Sequence, residues 1–188
     1  MIYSSGPLPT YPLSLQAQWQ DVERVFLSAQ LLDWLVEPNS LTRRLKSFSQ
    51  QFAVEVLSER LVDAAAYQGD IFTCDTQQVR VREVILFCDN HPMVYAQSWI
   101  PCYERAEQGV DLTHLGARPL GEVIFQDPQL SRQQLQVADF SANADLQALT
   151  QSFNLPNQPL WGRRSRFNLT GQQIMVCEVF LPGAYAYL

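Results

Sequence analysis

The chain has 188 residues, 47% of them hydrophobic and 17% charged, the composition of a folded protein with a core and not of a disordered one. A net charge of -6 argues against a general nucleic-acid binder, which needs a basic face. No apolar run approaches the ~18 residues of a membrane helix, and no basic residue precedes Arg24, so neither stable membrane insertion nor a secretory signal is expected. One domain spanning residues 1–188, cytoplasmic and monomeric, is the expectation.

The basic residues are lopsided: 12 arginines and one lysine, Lys46. Arginine grips carboxylates in a bidentate fork. The cysteines at 74, 88, 102 and 177 lack metal-binding spacing and read as free thiols.

In chain order, residues 1–13 hold three of the eleven prolines and suggest an irregular arm. From Ser14 to Glu37 the pattern is helical, with Leu31, Leu32, Trp34 and Leu35 as an apolar stripe and Pro38 as a stop. Asn39 or Ser40 is positioned to cap a second short helix in "NSLTRRL". "QFAVEVLSE" alternates as a strand. "QVRVREVILFCDNHPMVYAQSWIP" reads as a β-hairpin turning at Asp89-Asn90-His91-Pro92. "LGARPLGEVIF" reads as a loop entering a short helix, and "QLQVADF" as a further strand. Residues 141–159 are polar and suggest a long surface loop with room for a short helix. "SRFNLTGQQIMVCEVFLP" closes the chain as a second hairpin through Thr170-Gly171. About six strands, mostly hairpin-linked, predict an α+β fold: an antiparallel sheet covered on one face by helices.

Common nucleotide-binding, hydrolase and zinc motifs are absent. The two histidines, His91 and His114, are far apart, so neither metal nor histidine-based nucleophilic catalysis is expected. The informative residues are charges inside strands. In "IMVCEVFLP", Glu178 shares a strand face with Ile174, Val176 and Phe180, and the opposite face is equally apolar. A carboxylate there needs a partner. Arg82 poses the mirror problem beside Val84 and Leu86. Two readings stand open: a buried Arg82–Glu178 ion pair holding two strands, or a pocket in which each meets one end of a ligand. "LWGRRSR" places Arg163, Arg164 and Arg166 near the mouth of the last hairpin, either as a solvated cluster or as an electropositive entrance for an anion.

In combination, "LLDWLVEPNSLTRRL", "REVILFCDNHPMVYAQSWIP", "LGARPLGEVIF" and "LWGRRSRFNLTGQQIMVCEVFLP" resemble the chorismate pyruvate-lyases of ubiquinone biosynthesis, in order from about residue 25 onward. The resemblance implies a highly twisted antiparallel sheet with helical flaps over a buried ligand. It implies conversion of chorismate to 4-hydroxybenzoate and pyruvate without metal or organic cofactor. A pocket that matches a planar hydroxybenzoate at both ends, under a lid, predicts slow product release and product inhibition. Carried over by position, Arg82 would pair with the ring carboxylate, Leu41 and Leu120 would present main-chain groups to the same end of the ligand, and Glu178 would face the 4-hydroxyl. Gly121 follows Leu120 at a helix start, where N–H groups favour an anion. Two positions depart from the family pattern: Leu41 replaces Met, and Gln97 stands where some members have Arg, which bears on the pocket's electrostatics.

A non-catalytic sensing domain of the related fold found in transcription regulators is the alternative. One basic residue in the first forty argues against an attached DNA-binding segment.

Overall fold

The computed structural model describes residues 10–64, 78–102, 111–112, 114–170 and 172–188. Its frame is a six-stranded sheet of β1 (Phe52–Asp63), β2 (Gln78–Cys88), β3 (His91–Pro101), β4 (Ser131–Asp139), β5 (Trp161–Leu169) and β6 (Gln172–Phe180). The spatial order is β1-β2-β3-β6-β5-β4, and every pairing is antiparallel. Two runs of hairpin-linked strands therefore meet at the β3–β6 seam, and β6 is central, as its two apolar faces require.

Local chemistry sets the element ends. Asp89 and Asn90 join β2 to β3 with φ of 50° and 65°. Both central residues of the two-residue turn are left-handed, the conformation that matches strand twist and that Asn and Asp tolerate best after glycine. The Asp89 carboxylate also accepts from the backbone N–H groups of Gln50 and Gln51, which fixes the approach to β1. Helix α1 (Ala29–Leu35) is capped by Ser28, and α2 (Leu41–Ser47) by Ser40, whose hydroxyls accept from Leu31 N and Arg43 N. Helix α3 (Leu120–Ile124) is a single turn after Pro119. Helix α4 (Ala144–Ser152) is capped by Asn143.

Two expected elements differ. The helical pattern from Ser14 to Glu37 yields a helix only from Ala29. Residues before it run irregularly, with one 3-10 turn at Val22–Arg24 and a bridge from Gln20 to Val137. Pairing with the edge strand β4 and packing of Leu13, Leu15 and Trp19 on the sheet outweigh a weak helical periodicity. The stretch 141–159, read mainly as loop, holds α4, with Leu146 and Leu149 buried.

The helices divide between the sheet faces. Helices α1 and α2 pack on one face against Val84, Leu86, Val94 and Phe180. Of the chain between β3 and β4, the described residues 114–130 lie over that same face and set α3 over Ile100, Phe167, Ile174 and Val176. Helix α4 and the arm from Tyr11 to Trp19 cover the opposite face. Two apolar clusters thus flank the middle of the first face, and the ground between them is polar.

Candidate active site

That middle ground is a cavity roofed by the starts of α2 and α3. Its floor is the sheet: Arg82, Val84 and Leu86 of β2, Ala96 and Ser98 of β3, Val176 and Glu178 of β6, and Arg163 and Phe167 of β5. Period-2 alternation makes this one face. Leu41 and Leu120, the first residues of α2 and α3, line the roof with Gly121. All four residues singled out by the resemblance, Arg82, Leu41, Leu120 and Glu178, therefore border one space.

Arg82 is 2% exposed. Its Nη2 donates to the carbonyls of Gly116 and Arg118, at 2.8 and 3.3 Å, which ties β2 to the crossover. Its Nε is buried without a hydrogen-bond partner, and Glu59 Oε2 stands 3.8 Å away. Burial lowers the guanidinium pKa, and the Glu59 carboxylate partly offsets this. A buried donor without an acceptor is costly, so this atom marks where an acceptor belongs.

Glu178 does not pair with Arg82. It lies directly across the β5–β6 ladder from Arg163, whose Nε donates to Glu178 Oε2 at 2.6 Å. Arg163 is buried, 2% exposed, and not part of a solvated cluster. Its Nη1 also donates to the carbonyls of Leu35 and Glu37, both at 3.1 Å. Carbonyls at a helix C-terminus lack intrahelical partners, so one guanidinium closes the end of α1 and holds Glu178. The reading of Arg82 and Glu178 as an ion pair is thereby overturned. Arg164 and Arg166 alternate to the other face and donate to Gln136 and Gln134 of β4.

A third arginine, Arg132 of β4, also lines the cavity. Its Nη1 donates to the Glu37 carbonyl at 2.8 Å, and its guanidinium stacks 5.1 Å from the Phe167 ring centroid. Its Nε, too, is buried without a partner. Burial first, then the charge of Arg163, lowers its pKa; Glu178 and Glu37 act in the opposite sense. Among the described residues the charged lining is three arginines and one glutamate, a net excess of positive charge inside an acidic protein.

The roof is tied. A Cβ on Gly121 would lie 3.1 Å from both Ser40 Oγ and Thr42 Oγ1, so glycine lets α3 abut the start of α2. Lys46 and Glu122 bridge the same helices on the outside. That pair is exposed and contributes little, about 0–1 kcal/mol. The first-turn N–H groups of both helices have no intrahelical acceptor.

Gln97 is not a pocket residue. It points from β3 to the opposite face, where Nε2 donates to the Leu13 carbonyl and to Tyr95 Oη, and Oε1 accepts from Trp99 Nε1. There it joins the fully buried Glu83, which accepts from Tyr95 Oη at 2.6 Å and from Leu13 N at 2.8 Å. The Gln-for-Arg departure therefore bears on how the N-terminal arm docks. Among the described residues, no group of three or more His, Cys, Asp or Glu side chains could hold a metal ion. No helix among them is long and apolar enough to cross a membrane.

A six-stranded antiparallel sheet with an arginine-rich cavity under two short helices defines an α+β protein with an electropositive cavity. The chorismate lyase family model matches residues 13–187, and the chain belongs to that family of carbon–oxygen lyases. A "probable chorismate pyruvate-lyase" of Pseudoalteromonas translucida is 49% identical over 95% of this chain and 99% of its own. One of Shewanella frigidimarina is 38% identical over 95% of each chain. Among solved structures, a putative transcriptional regulator from Streptomyces coelicolor matches with a TM-score of 0.53 at 18% identity, covering 72% of this chain and 89% of that one. That likeness is one of fold.

Proposed function

We propose that this cavity converts chorismate to 4-hydroxybenzoate and pyruvate, the reaction that opens ubiquinone biosynthesis. The observation that carries the reading is the placement of Arg82, whose buried Nε makes no hydrogen bond and has only the Glu59 carboxylate 3.8 Å away, in the same cavity as Glu178. Arg82 receives the ring carboxylate, joined by main-chain N–H groups of Leu41 and Leu120. Glu178, with Oε2 held by Arg163, meets the 4-hydroxyl with its other oxygen.

In the reaction the C3–O ether bond breaks and its electron pair leaves with the enolpyruvyl group. The C4 proton is lost and its bonding pair completes the aromatic ring. Enolpyruvate then takes a proton on carbon and becomes pyruvate. Aromatisation makes the step strongly downhill, so the pocket's contribution is to hold a reactive conformer away from water. The cavity's excess of positive charge stabilises the negative charge that moves onto the leaving enolpyruvate. Because the pocket contacts both ends of the aromatic product beneath a tied roof, release is slow and added 4-hydroxybenzoate inhibits.

The test is purified protein with chorismate, without nucleotide and with a chelator in excess. Stoichiometric 4-hydroxybenzoate and pyruvate are expected, at the rate seen without chelator. Saturable chorismate binding without products would make this a sensing domain. Activity lost to chelator and restored by a divalent ion would overturn cofactor independence.

A further inference from the structure

Resting on the lyase reading, we infer that Arg132 binds the enolpyruvyl carboxylate of chorismate, and so distinguishes the dianionic substrate from the aromatic product. Arg82 is accounted for by the ring carboxylate. Arg163 is committed to Glu178 and to the end of α1. Among the described residues that leaves one cavity-lining arginine with a buried donor that makes no hydrogen bond, Arg132 Nε, and one substrate carboxylate without a partner.

The geometry orders them correctly. Across the sheet face, Arg82 lies on β2, Glu178 on β6, Arg163 on β5 and Arg132 on β4. The two free donors sit four strand steps apart, about 19 Å across a flat sheet, and their side chains reach into one cavity from the ends of that span. On chorismate the ring carboxylate is on C1, the enolpyruvyl ether on C3 and the hydroxyl on C4, so the ether leaves the flank of the ring beside the hydroxyl. With the ring carboxylate on Arg82 and the 4-hydroxyl at Glu178, one of the two flanks faces the β5–β4 side of the cavity, where the enolpyruvyl carboxylate can meet Arg132. Arg132 is held there by Glu37 and Phe167, so it meets the carboxylate with little reorganisation. When the ether breaks, the contact goes with the pyruvate, and 4-hydroxybenzoate keeps no group to reach Arg132.

The experiment compares wild type, Arg132→Gln and Arg132→Lys for the KM of chorismate and for the inhibition constant of 4-hydroxybenzoate. Loss of one charge-assisted contact raises the KM by about 10–100-fold. The inhibition constant stays within about twofold of wild type, because the product lacks the enolpyruvyl arm. Arg132→Lys keeps the charge and recovers part of the KM. A purely structural role, through the Glu37 carbonyl, would weaken both ligands together and overturn the inference. So would an unchanged chorismate KM in either variant. If Arg132→Gln does not fold, the same ratio is read from Arg132→Lys alone, with a chorismate-selective defect expected. Wild-type protein that makes no 4-hydroxybenzoate overturns the lyase reading itself, and the inference with it. A working wild type with equal defects in both constants overturns only the inference.

Discussion

Arg163 and Glu178 face each other across the β5–β6 ladder, joined at 2.6 Å, and Arg163 also closes the carbonyl end of α1. One side chain thus couples the floor of the cavity to the helix leading into its roof. Glu178 is tolerated in an apolar central strand because Arg163 neutralises it from the neighbouring strand.

Removing either member should therefore have unequal effects. Arg163→Met strands a mostly buried carboxylate and frees the α1 carbonyls, so a loss of about 3–5 kcal/mol is expected. Glu178→Gln keeps an acceptor for Arg163 Nε and should cost only about 1 kcal/mol, while turnover of chorismate falls steeply. Urea unfolding of both singles and the double reads this. The double should be less destabilised than the sum. Strict additivity would mean that the pair is not coupled.

Gly162 sets the spacing that permits this pair. A Cβ there would lie 2.9 Å from the Glu178 carbonyl oxygen, from Phe140 and from Val179. Backbone cannot yield as a flexible side chain does, so Gly162→Ala should destabilise by about 1–3 kcal/mol. Thermal unfolding is the measurement, and an unchanged Tm would show that β5 and β6 can separate without loss.

Asp127 provides a pH signature. Its carboxylate accepts from Thr170 N and Gln129 N, both at 2.8 Å, and from Thr170 Oγ1 at 3.0 Å. These bonds, the Thr170 amide first, hold its pKa below the ordinary carboxylate value. A folded-state value below the unfolded one stabilises the fold fully above the unfolded value, near pH 4, and is lost as pH falls through the lowered one. The Tm difference between wild type and Asp127→Asn should be constant above about pH 5 and narrow on acidification below about pH 4. A gap that widens in acid would contradict the assignment.

The buried thiols should be inert. Burial pushes the Cys177 thiol up to about 12 and raises that of Cys88, and the thiolate is the reactive form. Labelling at pH 8 followed by peptide mapping should find both unmodified until denaturant is added. Rapid native labelling of Cys177 would mean that the arm over its face opens readily.

Much of this was legible in the chain. Hairpin chemistry at Asp89-Asn90, the Ser40 cap and the alternation around Arg82 and Glu178 are local signals, and each appears where its pattern puts it. The resemblance brought Leu41 and Leu120 to the same cavity, which no spacing rule could do across some eighty residues of intervening chain. Arg163 was within reach but not read. The register that sets Leu169 opposite Gln172, counted outward, brings Arg163 opposite Glu178. Arg132 was not legible, because its place depends on β4 forming the far edge and on the register shift after Arg132. The helical pattern before Ala29 misled because a short arm takes its shape from the sheet on which it lies.

The central claim, that one cavity holds the aromatic ring between Arg82 and Glu178, is tested most directly by a crystal structure with 4-hydroxybenzoate bound. The ligand carboxylate should lie about 2.7–2.9 Å from the Arg82 guanidinium, with its hydroxyl on Glu178 and no contact to Arg132. A ligand bound in the reverse sense, or on the face covered by α4, would contradict the account.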